Sequence, residues 1–298
     1  MVQRIDSHQH FWQPARGDYA WLRADDAALA PLRRDFLPEH LLGLLQAHGV
    51  EQTVLVQAAQ SDDETAYLLT LARAHGFVGG VVGWSDLSRP GAAAALAQLA
   101  ADPLFKGVRP MLQDLPAHDW IAHAPRSDAV QALLRHGLRL DALVKPRHLE
   151  PLLRFVRRHP ELPVVIDHAA KPLLARGWDA DWVQPWQQHM AELAACPNVM
   201  CKFSGLLTEA PPLPRGDVAS AVQVLRPVWQ RLLDGFGPRR LMWGSDWPVL
   251  TLAADYAHWL AVCDVLFSEL SAGEQDQLWQ GSARRFYGLE PLAAGPAR

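Results

Sequence analysis

At 298 residues, with 49% hydrophobic and 20% charged, the chain has ample material for a globular core. A net charge of −4 and a pI near 6.3 offer no basic surface to nucleic acid or an anionic membrane. No apolar run approaches the roughly 20 residues that span a bilayer, and the charge at Asp6 comes too soon after Met1 for a signal peptide.

The first predicted strand is Arg4 to Trp12. Side chains alternate along a strand, so Asp6, His8 and His10 are expected on one face, where two histidines can converge on one ion or one oxygen. The loop Gln13 to Asp35 is too long for a simple connector and reads as a functional lid. Pro38 then opens a helix to His48, Thr53 to Gln57 is a strand, and Asp62 to His75 a helix capped by Asp62 or Asp63. Strands follow at Val78 to Trp84, Phe105 to Arg109, Leu138 to Leu143, Val164 to His168, Val199 to Ser204 and from Leu241 to Pro248, which ends it, with helical segments between them. The closing helices are expected over Ala253 to Leu270 and Glu274 to Tyr287. Strands alternating with helices in this number predict one (β/α)₈ TIM barrel, distorted, over residues 1–298, with an open doubly wound sheet as the alternative. No Gly-rich phosphate loop follows any strand, which argues against a nucleotide ligand. The three cysteines, Cys196, Cys201 and Cys263, lack metal-type spacing and read as buried thiols of a cytoplasmic protein.

A barrel gathers its active site at the C-terminal strand ends. Those ends carry His8, His10, Gln57, Trp84, Arg109, Asp141, His168, Ser204 and Asp246. Singly, each has an ordinary structural explanation: a core histidine, a solvated arginine, a turn aspartate. Together, three histidines, an arginine and two aspartates from separate strands form a set that chance rarely assembles. Asp246, between two indoles and just before Pro248, needs a cation, a metal or a hydrogen-bond donor there.

These residues carry a resemblance. Asp6-Ser7-His8-Gln9-His10-Phe11-Trp12, Asp167-His168-Ala169-Ala170-Lys171-Pro172 and Trp243-Gly244-Ser245-Asp246-Trp247-Pro248 resemble the first, sixth and eighth strands of the amidohydrolase superfamily. More narrowly the chain is similar to the amidohydrolase-2 group and its sugar-lactone hydrolases of the L-fuconolactonase type, from Ile5 to about Leu289. Two-metal members place a bridging lysine on the fourth strand and a histidine on the fifth. Here the fourth strand has Lys106 at its near end, expected at the barrel's bottom, and the fifth offers Asp141.

The resemblance implies hydrolysis of a small sugar-acid lactone, with Asp246 as general base and Arg109 and His168 acting on the carbonyl. Gln57, Trp84, Trp12, Asp141 and Lys171 are the expected substrate contacts, with Trp247 a further stacking surface. His8, His10 and Asp246 are the expected ligands of at most one divalent ion, zinc first, with some activity surviving its removal. A serine nucleophile is disfavoured, since no Gly-x-Ser-x-Gly elbow is present and Ser204 has no neighbouring base in sequence. The rivals are a metal-dependent decarboxylase on the same scaffold and a non-catalytic carbohydrate-binding barrel. Asp246 between Ser245 and Trp247 argues against the latter.

Overall fold

The computed structural model describes residues 3–291. Short apolar runs, nearly all buried along their length, form eight parallel strands whose spatial order follows the chain. They are β1 (Arg4–Gln9), β2 (Val50–Val56), β3 (Val78–Gly83), β4 (Phe105–Val108), β5 (Arg139–Ala142), β6 (Val164–Ile166), β7 (Val199–Phe203) and β8 (Leu241–Trp243). Helices cross between successive strands, as parallel pairing requires. The ring closes just past β8. Asp246 N–H donates to His8 O at 2.8 Å, and His10 N–H to Trp247 O at 2.8 Å. The expected TIM barrel is therefore the observed fold, and its seam is closed by residues of the predicted site.

Two apolar clusters follow from strand alternation. One fills the layer between strands and outer helices, with Leu55, Leu140, Ile166, Phe203 and Trp243 among its members. The other lies inside the barrel: Ile5, Val54, Val56, Val82, Val165, Met200 and Met242 pack on Ala283, Phe286, Tyr287 and Leu289. The terminal helix Ser282–Tyr287 thus plugs the bottom of the barrel. Lys106, expected at that end, donates to Gly288 O at 3.2 Å. Among the described residues no helix is long and apolar enough to cross a membrane.

Several boundaries differ from expectation for identifiable reasons. β1 stops at Gln9, and its register against β2 shifts between Asp6 and Gln9. Such a bulge reverses the facing of part of a strand. Asp6 therefore does not join His8 and His10; its carboxylate accepts from Ser245 N–H at 2.8 Å and Tyr256 Oη at 3.0 Å. β6 ends at Ile166 and β8 at Trp243, short of the expected His168 and Pro248, so His168 and Asp246 sit in turns beyond the strands with left-handed φ. The helix Asp62–Ala74 is capped by Ser61, whose hydroxyl accepts from Glu64 N–H at 2.9 Å, and not by Asp62 or Asp63. The long final helix breaks into Ala272–Asp276, a wider turn over Gln277–Gly281, and Ser282–Tyr287.

Glu64 ties this helix to the strand end before it. Its buried carboxylate accepts from Ala58 N–H at 3.0 Å and Ala59 N–H at 2.7 Å, with no cation bonded to it among the described residues. Burial pushes its pKa up to about 7, against the pull of those two amides. A carboxyl raised in this way holds its proton more tightly folded than unfolded. Its contribution therefore favours the fold at low pH and is lost as pH rises from 4.5 towards 7. In urea unfolding, Glu64→Gln is expected to remove a fall of about 3 kcal/mol over that window. An unchanged pH slope in the variant would assign the loss to other groups.

Candidate active site

Asp246 sits at the C-terminal mouth of the barrel, 4% exposed, with three imidazoles directed at one of its oxygens. Oδ1 lies 3.3 Å from His10 Nε2 and 3.7 Å from both His8 Nε2 and His168 Nε2. Burial alone would raise the Asp246 carboxyl, but His168, His10 and His8 outweigh it and hold it well below the usual carboxylate range. Burial also lowers all three imidazoles, His168 to about 4. Oδ2 makes no hydrogen bond among the described residues. The arrangement suits a carboxylate that receives a proton from water.

The second nitrogen of each ring is tied to the scaffold. His10 Nδ1 is 2.8 Å from Val56 O, so it carries the hydrogen and leaves Nε2 a lone pair. His168 Nδ1 is 2.9 Å from Ser204 Oγ. Asp246, His168 and Ser204 thus line up like a hydrolase triad, although no base neighbours Ser204 along the chain. Yet Ser204 is fully buried, whereas His168 and Asp246 line the cavity. Ser204 orients the ring and Asp246 is the open end of the chain, which keeps the serine-nucleophile reading disfavoured.

Backbone geometry sets these two residues in place. His168, Ala169, Ala170 and Lys171 have φ of 53°, 49°, 61° and 49°, and Asp246 has φ of 58°. Runs of left-handed residues without glycine are costly and persist where surrounding structure enforces them. Gly205, with φ of 61°, passes so close that a Cβ there would lie 2.5 Å from His168 Nδ1 and 3.0 Å from Asp246 Oδ2.

Beneath the imidazoles lies a buried layer of charge. Lys202 on β7 is fully buried, with Nζ 2.6 Å from Asp141 Oδ2, 3.0 Å from His8 Nδ1 and 3.1 Å from Asp167 Oδ1. Tyr287, from the plugging helix, donates to Asp141 Oδ2 at 2.7 Å. Burial opposes ionisation of Asp167, but Lys202, then His8 and Arg109, hold it well below the ordinary range. Burial raises Asp141 to about 6 despite Lys202. Lys202, Asp167 and Tyr287 had no assigned role in the sequence. The one local sign was a lysine inside the apolar run Val199-Met200-Cys201-Lys202-Phe203.

The cavity over Asp246 measures about 280 Å³, near the lower end for small-ligand sites. His10, His168, Arg109, Asp246, Trp12 and Lys171 line it. Trp21 and Leu29, from the long loop after β1, form part of its wall, and Trp12 Nε1 donates to Leu32 O at 3.1 Å to hold that loop down. Four expected substrate contacts lie elsewhere. Gln57 Nε2 donates to Arg109 O at 2.6 Å, and Asp141 is taken by Lys202 and Tyr287. Trp84 lines a separate cavity of about 160 Å³ with Trp120. Trp247 is buried against Phe36, ring centroids 5.3 Å apart. Arg109 donates from Nη2 to Gln57 O and from Nη1 faces His8 Nε2 at 3.3 Å and Asp167 Oδ2 at 3.5 Å. Its Nε is buried with no partner among the described residues.

The donor set fits a divalent ion. His8, His10 and Asp246 each present a ligand atom within 4.8 Å of the others. Separations of 3.3 and 3.7 Å bracket the about 3.4 Å between two ligands of a tetrahedral zinc. His10 already has the tautomer a metal ligand needs, its second nitrogen on a backbone carbonyl.

An eight-stranded barrel with a His-x-His pair at β1 and a carboxylate after β8 is a barrel of amidohydrolase type. The amidohydrolase family model matches residues 5–289, and the chain belongs to that family. It is 46% identical over 294 residues to an L-fucono-1,5-lactonase of Burkholderia ambifaria, covering 97% of each chain. An L-fucono-1,5-lactonase of Burkholderia multivorans is 41% identical over 296 residues, covering 98% of each. A crystal structure of a Burkholderia multivorans amidohydrolase with bound zinc aligns at a TM-score of 0.86 and 39% identity, over 97% of this chain and 100% of that one.

Gly205→Ala tests the packing at the centre of the site. The methyl would displace His168 and Asp246 while touching nothing on the outer surface. Turnover is expected to fall at least about tenfold, since small misplacements of reacting groups are amplified in rate. A folded variant with unchanged turnover would show that the position of His168 does not limit the reaction.

Proposed function

We propose that this chain hydrolyses a small sugar-acid lactone of the L-fucono-1,5-lactone kind, opening the ring to the free acid. The observation that carries this reading is the Asp246 carboxylate on the cavity wall, with one oxygen ringed by three imidazoles and the other without a hydrogen bond among the described residues. The two L-fucono-1,5-lactonases, similar over nearly the whole chain, support the substrate class.

In this reading Asp246 takes a proton from a water as its oxygen attacks the lactone carbonyl carbon. The carbonyl π electrons move to oxygen, where the Arg109 guanidinium and the imidazole edge stabilise the tetrahedral oxyanion. Collapse breaks the bond to the ring oxygen, which receives the proton back from Asp246 and leaves as a hydroxyl. His168, braced by Ser204, keeps Asp246 in place through the cycle. Trp12 and Lys171 are the chain's own substrate contacts, an apolar face and a cationic donor on the cavity wall. A divalent ion held by His8, His10 and Asp246 would add Lewis-acid polarisation of the carbonyl. The setting we propose is cytoplasmic carbohydrate metabolism, which the three free cysteines support.

Two substitutions test the assignment. Asp246→Asn is expected to fold and to lose at least about a hundredfold in turnover on L-fucono-1,5-lactone, the scale for a missing general base. Arg109→Met keeps the length but removes the forked donors, and kcat is expected to fall on the order of a hundredfold. Folded variants with near-wild-type rates would remove Asp246 or Arg109 from the chemistry.

A further inference from the structure

A polyhydroxylated lactone brings several O–H donors into the cavity, and each needs an acceptor once its water is displaced. Few side chains on the cavity wall can accept. Arg109 and Lys171 only donate. The Asp246 carboxylate serves the attacking water, and the Nε2 atoms of His10 and His168 are turned to it at 3.3 and 3.7 Å. Trp12 and Trp21 donate their one polar hydrogen to Leu32 O and Ala58 O, and Leu29, Met111, Leu143 and Val249 are apolar. Gln113 and Asp114 are left as acceptors.

Both sit on the short turn Leu112–Asp114, a few residues past Arg109 at the end of β4. The turn is held from its neighbour along the barrel, where Arg147 donates from Nη2 to Gln113 O at 3.0 Å. Gln113 Nε2 donates to Asp114 Oδ2 at 3.1 Å and so braces the carboxylate. Gln113 Oε1 is buried without a partner, whereas Asp114 is exposed and its Oδ1 makes no hydrogen bond among the described residues. Asp114 Oδ1 is therefore the acceptor that a ligand in the cavity can reach. Among the residues described on the wall, Asp114 is the one carboxylate besides Asp246.

We propose that Asp114 determines specificity for hydroxylated lactones, its Oδ1 accepting a hydrogen bond from a ring hydroxyl of the bound substrate. Such a bond to a charged acceptor is among the stronger kinds. An unsubstituted lactone displaces water from the same carboxylate and returns no donor to it, which is how a polar site rejects an analogue lacking the hydroxyl. The inference rests on the lactonase reading of the cavity and says which side chain recognises the sugar.

The test compares L-fucono-1,5-lactone with δ-valerolactone, which has a six-membered ring and no hydroxyl. Wild type, Asp114→Ala and Asp114→Asn are assayed on both, with δ-valerolactone read as a substrate or as a competitive inhibitor of the sugar lactone. Asp114 lies on an exposed turn, so neither change disturbs the core. Asp114→Ala is expected to lower the preference for the sugar lactone at least about tenfold, through a raised KM, the scale for losing a hydrogen bond to a charged group. Asp114→Asn, which keeps one oxygen but not the charge, is expected to fall between wild type and Asp114→Ala. An unchanged preference would overturn the proposal, whether both lactones weaken together or neither does. Wild type inert on the sugar lactone would instead overturn the lactonase reading itself.

Discussion

Asp246 must stay charged although it is almost wholly buried, and much of the site's construction follows from that requirement. An isolated buried carboxylate would take up a proton. Here His8, His10 and His168 converge on one oxygen, and the backbone amide of Asp246 itself is bound to His8 O across the barrel seam. The same stretch therefore closes the sheet and positions the base. Rigid strand ends make this arrangement available before substrate arrives, as catalysis by fixed dipoles requires.

Charge beneath the site is balanced in the same way. Two carboxylates, Asp141 and Asp167, share one ammonium, and the tyrosine that donates to Asp141 comes from the helix Ser282–Tyr287. A buried lysine needs partners, and Nζ has hydrogen bonds to Asp141 Oδ2 at 2.6 Å and His8 Nδ1 at 3.0 Å, with the Asp167 carboxylate 3.1 Å away. The plug at the barrel's bottom is thus linked through Tyr287, Asp141 and Lys202 to the His8 imidazole.

The sequence revealed what alternation and strand ends could reveal. Apolar runs alternating with helices led to the barrel, and polar strand ends led to His8, His10, Arg109, His168 and Asp246. Alternation failed at Asp6, where a bulge reverses the facing and a local pattern carries no warning. Trp84 shows a second limit: a strand-end residue can point into a neighbouring cavity, which depends on packing around Trp120. Gln57 and Asp141, expected as substrate contacts, instead hold Arg109 and Lys202. Tyr287 lies 146 residues from Asp141 in sequence, a distance over which no periodicity connects them. The left-handed run through His168 was equally hidden, because Ala169 and Ala170 carry no glycine signature.

The central claim is that Asp246 delivers water to a lactone carbonyl and does not attack the carbonyl itself. A single turnover with enzyme in excess over L-fucono-1,5-lactone, run in heavy-oxygen water, separates the two directly. Attack by activated water predicts one heavy oxygen in the carboxylate of the first product formed. An unlabelled first product, with the label entering the Asp246 side chain, would mean a covalent acyl intermediate and would contradict the account.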